Sequence, residues 1–185
     1  HKVIKTIGIG ESYLSELIQD WESSLPAHIK LAYLPSLGIV KLRLTVFGED
    51  IEKLKIEVEK QIDALRPLIN SYIFGYNKDE ISEVVGHLLI NNMATIAVAE
   101  SCTGGHLAHQ FTSVAGSSEY FAGGVISYSN QIKRDVLHVS ESIFKIDGAV
   151  SEACVIAMAQ GIRSKFKVNF GIATSGIAGL SGGSI

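Results

Sequence analysis

Only two cysteines, Cys102 and Cys154, three prolines and one tryptophan occur among the 185 residues. Two cysteines are too few for a disulfide framework or a cysteine zinc cluster, and a reducing cytoplasm is the expected compartment. An excess of positive charge is missing too, since 16 Lys+Arg against 19 Asp+Glu leave a formal net charge of −3. Binding to a phosphate backbone is therefore disfavoured. Nor is there a hydrophobic run of the roughly 20 residues that a bilayer crossing needs. The uncharged stretch from Leu88 to Ala99 is shorter than that and is interrupted by Asn91, Asn92 and Thr95. The first residues lack the pattern of a signal peptide. What is present, 46% hydrophobic and 19% charged residues, suffices for one large or two small packed domains.

The composition is uneven along the chain. Residues 1–80 carry 10 Lys+Arg and 12 Asp+Glu but 5 glycines, whereas residues 81–185 carry 6 and 7 with 13 glycines. The first part reads as surface-rich, the second as a buried α/β scaffold with tight backbone turns. A seam near Tyr76 to Asp79 fits both shifts and predicts domains at 1–77 and 78–185. The chain opens on His1 and stops in Gly182-Gly183-Ser184-Ile185, so a fragment with an incomplete second sheet, weakly active or inactive as it stands, is expected.

Hydrophobic spacing predicts the elements. Val3, Ile4, Ile7 and Ile9 suggest a strand, followed by a helix from Glu11 to about Glu22 with Ser12 as its N-cap. Val40, Leu42, Leu44 and Val46 alternate with polar residues, so Leu31 to Leu34 and Ile39 to Phe47 read as strands joined by a turn at Pro35-Ser36-Leu37-Gly38. Ile51, Leu54, Val58, Ile62, Leu65 and Ile69 form one face of a long helix, and an extended Tyr72-Ile73-Phe74 completes a small α+β sandwich. Beyond the seam, a helix around Ile81 to Leu89 precedes an apolar strand, Thr95 to Ala99. Further strands are expected at Gly124 to Tyr128 and Phe170 to Thr174, with helices from Leu107, at Gln131 to Leu137 and at Ser151 to Phe166. Such alternation predicts α/β layers with sites in the loops beyond the strand ends.

Three clusters could carry chemistry. Ala99-Glu100-Ser101-Cys102-Thr103-Gly104-Gly105 lies on a strand-to-helix turn, which displays a side chain and aims free backbone N–H groups at an anion or a developing oxyanion. Ser101 is the nucleophile candidate; the alternative is that Ser101 or Thr103 only caps the helix. The G-x-S-x-G elbow is not matched, because Ala99 and Thr103 occupy its glycine positions. The second cluster runs from Gly123 through Tyr128-Ser129-Asn130 to Lys133. A lysine one helical turn beyond a strand end can lean over the same crevice, as a base if burial lowers the ordinary lysine pKa of about 10.4, or as a charged grip for phosphate or carboxylate. A solvated Lys133-Arg134 pair is the plainer reading. Tyr128 could relay a proton, stack a ring or sit at a core edge. The third cluster, Thr174-Ser175-Gly176-Ile177-Ala178-Gly179-Leu180-Ser181-Gly182-Gly183, offers backbone amides and hydroxyls to a phosphate but no Walker-type lysine. His106 and His109 lack a third ligand, so neither a metal nor another cofactor is predicted.

Together these segments resemble one family. Ala97-Val98-Ala99-Glu100-Ser101-Cys102-Thr103-Gly104-Gly105, Tyr128-Ser129-Asn130 through Lys133, Gly148-Ala149-Val150-Ser151-Glu152 and Ser175-Gly176-Ile177-Ala178-Gly179 occur in the order of the C-terminal domain of the CinA competence/damage-inducible family, related to the amidase PncC. Residues 6–76, with Gly8-Ile9-Gly10-Glu11-Ser12, Ala32-Tyr33-Leu34-Pro35-Ser36 and Ile73-Phe74-Gly75, resemble that family's KH-like middle domain. The resemblance implies a KH-like α+β module followed by a layered α/β amidase domain. It further implies an amidohydrolase that converts nicotinamide mononucleotide to nicotinic acid mononucleotide and ammonia. In that reading Ser101 attacks the carboxamide carbon, Lys133 is its partner, and Tyr128 assists proton transfer. Thr103, Gly104 and Gly105 would serve the oxyanion, and Ser129, Asn130, Thr174, Ser175, Gly176 and Gly179 would hold the nucleotide. Cys102 is a competing nucleophile expected to point away from the crevice. Leu180-Ser181 departs from the Pro-Asp of relatives. A homo-oligomer without membrane contact is expected.

The reading from another class is a non-catalytic binding or assembly protein. Residues 1–80 contain no Gly-x-x-Gly, the backbone-clamping loop of KH domains, and this module is net acidic, so nucleic acid is an improbable partner.

Overall fold

The computed structural model describes residues 1–179 and divides into two units, residues 1–84 and residue 85 onward. Leu180, Ser181 and the terminal glycines, and with them part of the third cluster, lie outside the described residues. Among the described residues no helix is long and apolar enough to cross a membrane.

The first unit contains β1 (Lys2–Ile7), α1 (Glu11–Leu17), α2 (Gln19–Ser23), β2 (Ile29–Ser36), β3 (Ile39–Val46), α3 (Ile51–Ile69) and β4 (Ile73–Tyr76). Its antiparallel sheet has the order β2-β3-β1-β4. The alternation in β3 works as read: Val40, Leu42 and Leu44 are buried with Ile4 of β1 and with Val58, Ile62, Leu65 and Ile69 of α3. Asp50 caps α3 by accepting the Lys53 N–H at 3.1 Å. Three local readings are corrected. The turn between β2 and β3 is only Leu37-Gly38, because Gly38 takes φ +73° and lets Pro35 and Ser36 stay in the ladder. Ser12 is no cap; Gly10 holds that position and no side chain bonds there. The expected single helix to Glu22 breaks at the buried Ile18, whose ψ of 10° leaves helical geometry.

The second unit follows α4 (Ile81–Asn91) with β5 (Ile96–Glu100), α5 (His106–Thr112), β6 (Phe121–Ile126), α6 (Asn130–Leu137), α7 (Glu141–Ile146), α8 (Glu152–Phe166) and β7 (Phe170–Thr174). Its sheet is parallel, in the order β6-β5-β7. All five β5 residues are buried, which explains their unbroken apolar run up to Glu100. Ile96 and Val98 pack with Phe111 and Tyr120, while Ala97 and Ala99 pack with Leu137, Met158 and Ile162, so α5 and α8 cover opposite faces. The chain thus leaves β5 on one side and returns as β7 on the other, which opens a crevice at the carboxyl end of β5. The second strand begins and ends earlier than its sequence suggested, at Phe121–Ile126, and α7, capped by Ser140, was not anticipated.

The glycine excess has a packing cause here. A Cβ at Gly124 would lie 2.6 Å from the Val98 side chain, one at Gly161 2.0 Å from the Leu137 carbonyl oxygen, and one at Gly171 2.3 Å from that of Ala159. These glycines let strand meet strand, helix meet helix and helix meet strand at backbone distance.

Candidate active site

The register of the parallel sheet places Glu100, Ile126 and Thr174 side by side at the carboxyl ends of three strands. Ser101 is the next residue after β5 and is held there by its own N–H, which donates to the Thr174 carbonyl at 3.0 Å. The turn beyond it closes with Gly104 N–H on the Ser101 carbonyl at 3.2 Å; Gly104 and Gly105 have φ of +58° and +106°, left-handed values that a glycine pair adopts at little cost. Ser129 caps α6, its hydroxyl accepting the Ile132 N–H, and Lys133 then points back toward the sheet.

The Lys133 Nζ donates to Ser101 Oγ at 3.2 Å and to the Tyr128 carbonyl at 3.4 Å. Both side chains are buried, Ser101 to 7% and Lys133 to 3% exposure. Among the described residues no carboxylate forms an ion pair with Lys133. The two groups line a cleft of about 350 Å³ together with Cys102, Tyr128, Asn130, Ala149, Val150, Gly176, Ile177 and Ala178. A larger apolar groove of about 530 Å³ along β7, lined by Leu88, Ile96, Phe170 and Ile172 among others, has no ionisable group, so the smaller cleft is the candidate.

Glu100, which has no role among the sequence-predicted site residues, organises the turn. Its carboxylate, 1% exposed, accepts the Thr103 hydroxyl at 2.6 Å and the N–H groups of Gly105, Leu107 and Ala108 at 3.1, 2.9 and 2.8 Å. Burial works to raise its pKa, but these four donors outweigh it and hold the carboxyl below the ordinary range. An acidic residue ending an otherwise apolar buried strand, just before a helix, was the available signal.

This wiring changes several assignments. The Thr103 hydroxyl and the Gly105 amide are spent on Glu100 and the Gly104 amide on Ser101, so none of the three is available to an oxyanion. Thr174 Oγ1 lies 2.7 Å from Thr103 Oγ1, and since the Thr103 proton goes to the carboxylate, Thr174 donates. The Ser175 hydroxyl donates to the Ala149 carbonyl at 3.2 Å. Ser129, Thr174, Ser175 and Gly179 do not line the cleft; Asn130 and Gly176 do. Tyr128 is 75% exposed at the rim, and its phenol bonds neither Ser101 nor Lys133. Cys102 does not turn away from the crevice: it lines the cleft, its sulfur 3.2 Å from where a Gly176 Cβ would stand. Cys154, beneath Lys133 in the core, has its thiol pushed up by burial, partly offset by the Lys133 charge.

A serine on a strand-to-helix turn thus meets a lysine from α6. The sequence profile of the CinA C-terminal domain matches residues 78–185, and that of the damage-inducible protein CinA KH domain matches residues 1–75. The chain belongs to the CinA family. CinA-like proteins of Cytophaga hutchinsonii and Flavobacterium psychrophilum are 51% and 47% identical over 99% of this chain, which spans only 44% of each. Among solved structures, CinA superfamily proteins of Klebsiella pneumoniae and Enterobacter cloacae superpose with a TM-score of 0.54 at 38% and 33% identity. They cover 55% and 58% of this chain, which in turn covers 64% and 65% of theirs. The antiparallel and parallel sheets of this CinA chain thus accompany a KH-type and a C-terminal-type CinA sequence, in that order.

Proposed function

We propose that the Ser101–Lys133 cleft is an amidohydrolase centre that hydrolyses the carboxamide of nicotinamide mononucleotide to nicotinic acid mononucleotide and ammonia. The observation that carries this reading is the 3.2 Å contact between a buried amine, without a counter-charge among the described residues, and a buried hydroxyl, at the carboxyl ends of parallel strands. In its unprotonated form Lys133 takes the Ser101 proton, and Ser101 Oγ attacks the carboxamide carbon. The ammonium of Lys133 then protonates the departing amide nitrogen, which leaves as ammonia and an ester on Ser101. Lys133 next deprotonates a water that attacks the ester, the proton passes from Lys133 to the departing Ser101 oxygen, and the acid so released gives up its own proton to solvent as the carboxylate. The amides of Cys102 and Thr103, which donate to no acceptor among the described residues, are the remaining donors for the oxyanion. The exposed Tyr128 ring, with Val150 and Ile177, offers an apolar rim to a pyridine ring.

The test is ammonia release from nicotinamide mononucleotide by the natural full-length polypeptide that carries these residues. Ser101→Ala abolishes release, and Lys133→Met lowers it by about 10²–10⁴-fold. Activity kept in Ser101→Ala but lost in Cys102→Ala would transfer the nucleophile to Cys102. No release by the unaltered protein would leave the binding or assembly reading in possession of the cleft.

A further inference from the structure

We infer that Glu100 is a positioning residue for the nucleophile, its buried carboxylate holding the Ser101 turn in register with Lys133. The inference rests on the amidohydrolase reading of the cleft. The ionised carboxylate is held by four donors: Thr103 Oγ1, Gly105 N and Leu107 N converge on Oε2, and Ala108 N donates to Oε1. Buried to 1% exposure, held by four donors and, among the described residues, bonded to no cation, Glu100 does geometric work. The bonds span residues 103–108, so they lock the path of the chain immediately after Ser101.

The same residue ties down the partner. Its backbone carbonyl accepts the Ser127 N–H at 2.7 Å and the Ser127 hydroxyl at 3.3 Å, and Ser127 is fully buried. Ser127 precedes Tyr128, whose carbonyl accepts from Lys133 Nζ. One residue therefore fixes the turn bearing the nucleophile through its side chain and the segment that aims the lysine through its main chain. Through Thr103 and Thr174 the carboxylate also reaches the end of β7, where the loop that forms the far wall of the cleft begins. Glutamine at this position keeps the shape but presents an NH₂ group to donors that need an acceptor, so at least one bond is lost and the turn must shift.

The test reads the geometry independently of turnover. In the full-length protein, Ser101→Cys is combined with Cys102→Ser, and alkylation of the cysteine at position 101 by iodoacetamide is followed by peptide mass against pH. The Lys133 amine accepts the thiol proton as it would that of Ser101, and the ammonium so formed stabilises the thiolate, so the midpoint lies below the ordinary value of about 8.5. Adding Glu100→Gln returns the midpoint toward that value and slows alkylation at neutral pH about tenfold. In the otherwise unaltered protein, Glu100→Gln lowers kcat for ammonia release about a hundredfold and leaves KM within about twofold. Thermal melting establishes that the variant is folded; if it is not, Thr103→Val, which deletes one of the four donors, carries the same test with a smaller shift in the same direction. A folded Glu100→Gln with the parent midpoint would reduce Glu100 to a helix cap and overturn the inference, as would a parent midpoint already at the ordinary value. A shifted midpoint without any ammonia release would instead sink the nicotinamide reading and leave the positioning role standing.

Discussion

Gly161→Ala perturbs the second unit at a point where nothing soft can yield. The added methyl carbon would stand 2.0 Å from the Leu137 carbonyl oxygen, 2.9 Å from its carbon and 3.1 Å from its Cα. All three atoms are backbone, so no rotamer change relieves the clash, and α6 and α8 must separate by about 1 Å to restore ordinary contact. Leu137 ends α6, and that end is pinned by the Val139 N–H on the Lys133 carbonyl at 3.1 Å. Overpacking of this kind costs about 1–3 kcal/mol, against which alanine regains up to about 1 kcal/mol of helix propensity. A net loss near 1–2 kcal/mol is expected, lowering the melting temperature of a unit of this size by about 4–8 °C per kcal/mol. The same movement carries Lys133, which sits on α6, away from Ser101, and a misplacement of about 1 Å is enough to cost about a hundredfold in rate. Thermal melting by circular dichroism, with kcat for ammonia release measured on the same preparations, reads both effects. A variant as stable as the wild type would refute the packing argument. A destabilised variant with unchanged kcat would refute the link between helix packing and the Ser101–Lys133 contact.

Stability should also respond to acid through Glu100. Its folded pKa lies below the unfolded value of about 4.3, so its contribution is present above that value and is lost as pH falls through the folded pKa. Denaturation midpoints measured from pH 6 downward should accordingly fall less steeply in Glu100→Gln than in the wild type, and parallel curves would contradict this. In the first unit, Asp50→Ala removes the acceptor for Lys53 N–H at the start of α3 and should cost about 1 kcal/mol, most of it restored by Asp50→Ser. Trp21, the sole tryptophan, is buried in that unit's core and makes urea unfolding followed by its fluorescence a local readout. An unchanged midpoint would show that the cap contributes nothing.

Periodicity made most of the first unit legible. Alternation in β3 and the three-and-four spacing of α3 each face one core, and a single buried face leaves little freedom of register. Where periodicity and structure differ, a local conformation decides: the left-handed Gly38 shortens the hairpin, and Ile18 breaks the helix that starts at Glu11. In the second unit the apolar run of β5 announced a buried strand, but no pattern could show that Gly124, Gly161 and Gly171 are there to admit neighbouring backbone.

At the candidate site, residue chemistry by itself singled out Ser101 and Lys133, because a hydroxyl on a strand-to-helix turn and a lysine one turn past a strand end are conspicuous in one dimension. Their 3.2 Å contact was decided only when β5 and β6 paired in parallel and α6 packed back beneath α8. The destinations of the Thr103 and Gly105 donors, the exposed Tyr128 ring and the inward Cys102 likewise depend on groups far apart in the chain. Sequence states which donors and acceptors a segment owns; only the closed structure states which are already spent, and burial of Glu100, whose charge had to be satisfied locally, spent the ones the turn seemed to offer.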